Sequence, residues 1–354
     1  MDIKRHTIRA VTTLATGALL ATAASADVVI RYAEYGPDRG VRAEAIRYFA
    51  EQIEERSGGE IRLDMSWGGA LVSGRDVLRA VSTGFVDAGS FVPSWEPQAL
   101  HLYEVGDLPA GTPDAWVGMR AAFELATENQ AVIDEFASQN VALMMQFNSG
   151  PVQLMCRQPI TTVEDFEGRR IRAVGPFIQA FQALGAEITA FPSIEVYQAM
   201  DSGLLECSQN YWSNITAYRL HEVADHLVEL NFGQVLGFGA LINLDVWESL
   251  SDEQRALMRE VGRDSTDHLA RLLLELEDDI RGQLEAGIDG HSVSIASPPE
   301  AVMDALWGQS DLLTQAWIDA TEGRGLDGSG VLAHFLEAEA RYEEALADDG
   351  YPWD

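Results

Sequence analysis

Hydrophobic and polar positions alternate along several short segments of the chain, separated by stretches in which apolar residues recur every three or four positions. Alternation is typical of a half-buried β-strand, and the wider spacing is typical of an amphipathic helix. In the first part of the chain these patterns predict strand Val28–Glu34, helix 41–56, strand Glu60–Trp67, helix 75–82, a strand through 84–89, helices 113–127 and 131–139, and strand Val141–Phe147. The strand–helix order predicts a parallel sheet with crossover helices.

A turn-forming run at 148–151 interrupts this pattern, and a second series of strands and helices begins after it. The predicted elements are strand Val152–Cys156, strand Arg169–Ala173, a helix that begins at Gly175-Pro176, strand Glu187–Ala190, a helix from Ser193, and strand Leu205–Gln209. Strands 227–232 and 237–243 are expected to return the chain to the first domain, and one long amphipathic helix follows over 251–286.

The N-terminus has the pattern of a secretory signal peptide. Lys4, Arg5 and Arg9 supply the basic region, and Ala10–Ala23 is mostly small and apolar. An uncleaved membrane anchor is the alternative, but this apolar stretch is short for a span and rich in alanine and threonine. We expect cleavage after about Ala26 and export of a mature chain of about 330 residues, a length that suggests two domains.

The chain is strongly acidic, with a formal net charge of −32 at pH 7. Nucleic acid is not expected as a partner, because contact with phosphates requires a basic face. The only lysine is Lys4, in the predicted leader. A small anion would be repelled by the overall field, so a site for one must hold its own arginine.

The most specific pattern lies between residues 165 and 211. In order, it has a G-[RK]-x-[IL]-R strand ending at Arg172, Leu-Gly-Ala at 184–186, Glu-Val-Tyr at 195–197, an A-[LM]-x-x-G turn at 199–203, and a strand followed by Asn210. This order resembles the central signature of the solute-binding proteins of tripartite ATP-independent periplasmic (TRAP) transporters. Residues 59–89 also resemble that family, so the resemblance covers both halves of the chain.

The resemblance implies an α/β fold, a two-lobed periplasmic-binding-protein clamshell. Each lobe would be a mixed β-sheet flanked by helices, with a long helix spanning both lobes. We expect lobe I to comprise 27–149 and about 235–275, and lobe II to comprise 150–234 and about 276–354. The implied function is periplasmic capture of a small organic acid for delivery to the small and large integral membrane subunits of a TRAP transporter. We expect a monomer that needs no cofactor.

Arg172 and Asn210 are the residues that the resemblance assigns to the ligand. A guanidinium forms two parallel N–H bonds to a carboxylate, and the family uses the arginine at the position of Arg172 for this contact. An asparagine at the end of the last strand can orient the ligand with both donor and acceptor groups. From the residues alone, Arg172 could instead pair with a carboxylate such as Glu195, and Asn210 could cap a helix over 211–217.

The place of a second arginine in some members is occupied here near Val152-Gln153. This substitution favours a monocarboxylate over a dicarboxylate. A zwitterionic osmolyte such as ectoine is an alternative ligand, with Glu34 meeting its cationic end. The residues also leave open a C4-dicarboxylate ligand, a ligand-sensing role in a signalling system, and an enzyme on the same fold.

Aromatic residues follow several predicted strands, where open α/β sheets bind ligands. They could hold an apolar or aromatic ligand body, or a cation through cation–π contacts, and the alternative for each is packing in a core. The candidates are Tyr35, Trp67, Phe91, Trp95, Phe147, Phe177, Tyr211 and Trp212.

Two cysteines, Cys156 and Cys207, lie in predicted strands of one domain. An exported chain can keep a disulfide, and a bridge is feasible if the strands are neighbours with Cα atoms within about 7 Å. Two buried thiols are the alternative. The seven histidines are scattered, and the nucleophile, phosphate-binding and dinucleotide motifs of common enzymes are missing from the sequence. We therefore expect neither a metal site nor an enzyme.

Overall fold

The computed structural model describes residues 28–96, 99–189 and 193–354, so the predicted signal peptide lies outside the described residues. The strands are β1 Val28–Ala33, β2 Ile61–Ser66, β3 Ala88–Phe91, β4 Val141–Gln146, β5 Gln153–Cys156, β6 Arg170–Arg172, β7 Glu187–Thr189, β8 Cys207–Asn210, β9 His226–Val228, β10 Gly239–Asn243 and β11 Ser294–Ala296. The helices are α1 Val41–Arg56, α2 Val77–Ser82, α3 Ala115–Glu128, α4 Gln130–Ser138, α5 Phe177–Ala183, α6 Ser193–Asp201, α7 Trp212–Ala217, α8 Leu244–Ser249, α9 Asp252–Ala286, α10 Glu300–Glu322 and α11 Gly328–Asp349.

The strands form two separate mixed sheets, which define lobes I and II. The sheet of lobe I has the order β2-β1-β3-β10-β4. β1 is parallel to β2 and β3, whereas β10 is antiparallel to β3 and β4 because it enters from the other lobe. The sheet of lobe II has the order β11-β9-β5-β8-β6-β7, with β8 parallel to β6 and antiparallel to β5. The predicted mixed sheets are therefore confirmed.

The long predicted helix is α9, of 35 residues. Its first turn is stabilised by a capping box in which Ser251 and Gln254 exchange side-chain and backbone hydrogen bonds. The helix packs on α1, α3 and β4 of lobe I and then on α7 and β11 of lobe II. Its buried residues at three- and four-residue spacing join both cores, so α9 forms a common back for the two lobes.

The C-terminal segment differs from the predicted domain division. α10 packs on α5 of lobe II, but α11 packs on α3 of lobe I. Phe335 and Ala338 of α11 are buried in the core of lobe I. Residues 276–354 are thus shared between the lobes instead of belonging to lobe II as a unit. The apolar face of an amphipathic helix does not specify which of two exposed surfaces it will cover.

The predicted disulfide is confirmed. Cys156 and Cys207 lie directly opposite each other on β5 and β8, with Cα atoms 4.1 Å apart and an S–S distance of 2.06 Å. The bridge joins two central strands of lobe II. Within the described residues, no helix is long and apolar enough to cross a membrane.

Candidate functional site

The two sheets meet at the ends of their strands, where the chain crosses between the lobes. β1, β3 and β4 end at this edge of lobe I, and β6 and β8 end at the facing edge of lobe II. The crossing segments 147–152 and 229–238 lie side by side, joined by backbone hydrogen bonds such as Val152 N to Gly233 O at 3.0 Å. Side chains that follow these strands therefore surround the interlobe cleft, the usual ligand site of open α/β sheets.

Arg172 lies at the end of β6 and is 5% exposed. Its Nη1 donates to the carbonyl oxygen of Gln209 at 3.2 Å, and its Nη2 donates to Ser193 Oγ at 3.5 Å. The side chain of Gln209 accepts the backbone N–H of Val174 at 2.9 Å, which fixes the loop after β6. The guanidinium is consequently held in one orientation by the end of β8 and the start of α6.

Asn210 is the last residue of β8 and is 2% exposed. Its Nδ2 donates to Ser208 Oγ at 2.9 Å, and the N-cap of α7 is Tyr211, so the structure does not support a capping role for Asn210. Across the sheet it faces Gln153, whose Nε2 donates to Asn231 Oδ1 at 2.6 Å. The place of the second arginine in some family members thus carries a buried neutral amide.

The facing edge of lobe I carries a second guanidinium, that of Arg42. Its Nη2 lies 3.0 Å from Glu34 Oε1, and its Nη1 donates to the hydroxyl of Tyr35 at 2.6 Å. The Arg42 Cζ lies 4.6 Å from the centre of the Tyr35 ring, and Tyr35 contacts Trp95 edge to face at 5.0 Å. Arg42 lies in the first turn of a surface helix, where an arginine carries no pattern that would indicate this role.

Burial lowers the pKa of Arg172, and Tyr211 and Tyr218 oppose this effect. Burial also acts to lower the pKa of Arg42, but Tyr35, Glu34 and Tyr218 outweigh it and the pKa is raised.

The family model for bacterial extracellular solute-binding proteins, family 7 (DctP), matches residues 32–306. The chain belongs to this family. The ectoine-binding periplasmic protein TeaA of Halomonas elongata is 24% identical to it over 328 residues, covering 89% of this chain and 92% of TeaA. The predicted membership in the family of TRAP-type solute-binding proteins is confirmed.

Solved structures share the fold of this solute-binding protein. A TRAP periplasmic solute-binding protein from Desulfovibrio salexigens, in an open complex, superposes with a TM-score of 0.80 at 21% identity, covering 92% of this chain and 98% of the other. One from Bordetella bronchiseptica with bound (R)- and (S)-mandelate gives a TM-score of 0.77 at 21% identity, covering 89% and 99%. These matches confirm the two-lobed fold.

Four aromatic residues predicted to wall the cleft pack inside the lobes of the solute-binding protein. Successive strand residues point to opposite faces of a sheet, so some strand-end side chains turn towards the helices. Phe91, for example, stacks on Tyr103 with ring centroids 6.0 Å apart. Trp67 is partly buried against the core of lobe I. The four, each no more than 4% exposed, are Phe91, Phe147, Phe177 and Trp212.

The half-buried aromatic residues Tyr35, Trp95 and Tyr211 are placed differently from those four. Tyr35 contacts Arg42, and Trp95 packs against Tyr35. The Tyr211 hydroxyl accepts a hydrogen bond from Gln209 Nε2 at 3.2 Å. Burial raises the pKa values of Tyr35 and Tyr211 to about 12, so both hydroxyls remain protonated at neutral pH. Over the described ranges, no group of three or more histidine, cysteine or acidic side chains is arranged to hold a metal ion.

Proposed function

We propose that the protein captures a small organic monocarboxylate between its lobes and delivers it to the small and large membrane subunits of a TRAP transporter. It acts by binding and release instead of by turnover. The observation that carries this proposal is the position of Arg172, a buried guanidinium fixed at the cleft edge of lobe II. A carboxylate that enters a dry cleft needs such a partner, because an unpaired buried charge is strongly destabilising.

The properties of Arg172 also support a role in binding over a role in folding. Burial opposes its charged form in the ligand-free protein, as the lowered pKa indicates. A ligand carboxylate would offset this desolvation, so the charge is more favourable in the complex than in the free protein. Asn210, at the end of the neighbouring strand, supplies an amide that orients the carboxylate.

The surroundings favour a monoanion over a dicarboxylate or a zwitterion. Gln153 and its partner Asn231 are neutral, so they offer no charge to a second carboxylate on lobe II. Glu34 is buried and already engages Arg42, Ser90 Oγ and the backbone N–H of Gly36. A cationic ligand group would have to compete with these contacts.

Ligand-induced changes in melting temperature test the proposal directly, since a ligand that binds only the folded state stabilises it. Mandelate, benzoate, 3-hydroxybenzoate, succinate and ectoine are suitable probes. At least one monocarboxylate should raise the melting temperature more than succinate and ectoine do. The dissociation constant of that ligand is then measured by titration calorimetry.

Arg172→Gln should weaken the binding of the selected monocarboxylate by at least about 30-fold, because removing one partner of a buried charge pair costs about 2–5 kcal/mol. The melting temperature of the ligand-free variant should stay the same or rise. Arg170→Gln is the matched control: Arg170 lies on the same strand but is exposed and pairs with Glu206. Equal affinities of wild type and Arg172→Gln would refute the clamp.

The proposal also includes that the protein is exported, that its leader is removed and that the mature protein is a monomer. The pattern of residues 1–26 supports cleavage after about Ala26. The intact mass of protein recovered from a periplasmic extract gives the cleavage position, and light scattering gives the oligomeric state. A mass that includes the leader would support an anchored protein.

A further inference from the structure

The guanidinium of Arg42 is held by Glu34 and Tyr35, two residues that directly follow β1. Glu34 follows β1, is 1% exposed, and also accepts a hydrogen bond from Ser90 of β3. The Tyr35 hydroxyl accepts a hydrogen bond from Nη1, and the centre of its ring lies 4.6 Å from Arg42 Cζ. In the described part of the chain these contacts engage two of the five N–H groups of Arg42, and its side chain remains 29% exposed. The remaining donors can serve a further acceptor.

Two glycines provide the space for this arrangement. A Cβ atom at Gly36 would overlap Arg42 Nη2 and would lie 2.7 Å from Glu34 Oε1. A Cβ atom at Gly74 would come within 2.5 Å of the Trp95 ring and 3.2 Å of Tyr35 Cβ. Any larger residue at either place would displace the guanidinium or the aromatic wall beside it. The close approach of backbone and side chain is typical of a preorganised site.

The charges of the two lobes differ in a way that restricts the ligand. Glu34 balances Arg42, so this pair of lobe I carries no net charge, whereas Arg172 of lobe II supplies a positive charge to the cleft. Arg42 therefore favours a neutral acceptor, such as a hydroxyl or carbonyl oxygen, over a second carboxylate. A guanidinium also donates to such oxygens with good geometry.

We propose that Arg42 is a specificity-determining ligand contact that recognises a hydroxyl or carbonyl oxygen on a monocarboxylate whose acid group is held by Arg172. The ligand class is thus a hydroxy- or oxo-substituted monocarboxylate with an apolar body beside Tyr35 and Trp95. Such a ligand touches both lobes through polar groups, so its binding favours closure. The inference rests on the proposed capture of a monocarboxylate by Arg172.

Matched ligand pairs that differ by one hydroxyl test the contact. Dissociation constants are measured by calorimetry for mandelate against phenylacetate and for 3-hydroxybenzoate against benzoate. In the wild-type protein, the hydroxylated member of at least one pair should bind about tenfold more tightly, the gain typical of a hydrogen bond to a charged group. In Arg42→Gln the ratio should fall to within about twofold, with the affinity for the unsubstituted acid retained.

Arg42→Gln leaves the buried carboxylate of Glu34 without its cation. A Glu34→Gln/Arg42→Gln variant avoids this because both residues are neutral. It should lose the discrimination between hydroxylated and unsubstituted acids in the same way, with a melting temperature near that of wild type. Arg56→Gln is the matched control, because Arg56 lies at the other end of α1, is 30% exposed and is also salt-bridged. Arg56→Gln should keep the wild-type ratio of affinities.

The proposed role of Arg42 is refuted if the ratio of affinities is unchanged in both Arg42 variants, or if it is below twofold in the wild type. Either result refutes only the role of Arg42 and leaves the capture of a monocarboxylate by Arg172 standing. If none of the four acids binds the wild type, the proposed ligand class and this inference both fail.

Discussion

The carboxylate of Asp107 accepts the backbone N–H of Gly237 at 2.6 Å, and it also accepts that of Leu236 at 2.8 Å. Asp107 belongs to lobe I, and Gly237 belongs to the crossing segment that returns from lobe II. Burial raises the pKa of Asp107 to about 7, with a further contribution from Glu104, although the two N–H contacts act in the opposite direction. The crossing segment 229–238 is therefore held by a carboxyl group whose charge changes near neutral pH.

This pKa makes stability depend on pH with a definite sign. The native pKa lies above the unfolded value of about 3.9, so the native state binds more protons between about pH 4 and pH 7. The contribution of Asp107 to the free energy of unfolding is greatest below pH 4 and falls as the pH rises to 7. Between pH 5 and pH 8, the free energy of unfolding of the wild type should fall by about 2–3 kcal/mol more than that of Asp107→Asn.

Urea unfolding at the two pH values measures this difference. Asp64→Asn, at an exposed position of β2, is the control and should keep the wild-type dependence. Glu339, whose pKa burial raises to about 8, titrates in all three proteins and cancels from the comparison. An Asp107→Asn variant with the wild-type pH dependence would contradict the prediction.

Substitution by alanine at two glycines of α9 should change the free energy of unfolding in opposite directions. A Cβ atom at Gly262 would overlap the carbonyl oxygen of Met144 on β4, so Gly262→Ala should lower the free energy of unfolding by about 1–3 kcal/mol. No atom lies within 4 Å of a Cβ at Gly282, and Gly282→Ala should raise it by up to about 1 kcal/mol. Urea unfolding of both variants measures the effects. The same sign in both would argue against the close packing of α9 on β4.

Loss of the disulfide should destabilise lobe II without changing ligand affinity. Cys156 and Cys207 are separated by 51 positions, and closing a loop of this length is worth about 4 kcal/mol in the chain-entropy account. A Cys156→Ala/Cys207→Ala variant should show a loss of about 2–4 kcal/mol by urea unfolding. Affinity should persist because the bridge lies at the opposite end of β8 from Asn210. Wild type unfolded in reductant should match the variant, and equal stability of oxidised and reduced protein would count against the bridge.

Local features of the fold were accessible from the sequence. The predicted helix 41–56 has the bounds of α1, and 251–286 differs from α9 by one residue, because helical periodicity and capping residues are read from neighbours along the chain. The predicted strand 227–232 ends at Val228, since the residues after it form the returning crossing. Backbone pairing between distant segments, which sets strand ends, has no local signature.

Some residues of the candidate site could also be predicted from the sequence, whereas others could not. Arg172 and Asn210 could be named from the sequence because each lies at a strand end within one recognisable βαβαβ segment. Arg42 could not, because its position depends on Glu34, Ser90 and the open space at Gly36, which only the assembled sheet of lobe I brings together. The burial of Phe91 and the return of α11 to lobe I were likewise decided by the tertiary structure. The sequence by itself determined the family, the two strand–helix series, the strands that carry the cysteines and the place of Arg172 at a strand end. Tertiary packing alone decided which apolar faces meet and which charged groups share the cleft, because these depend on contacts between residues far apart in the chain.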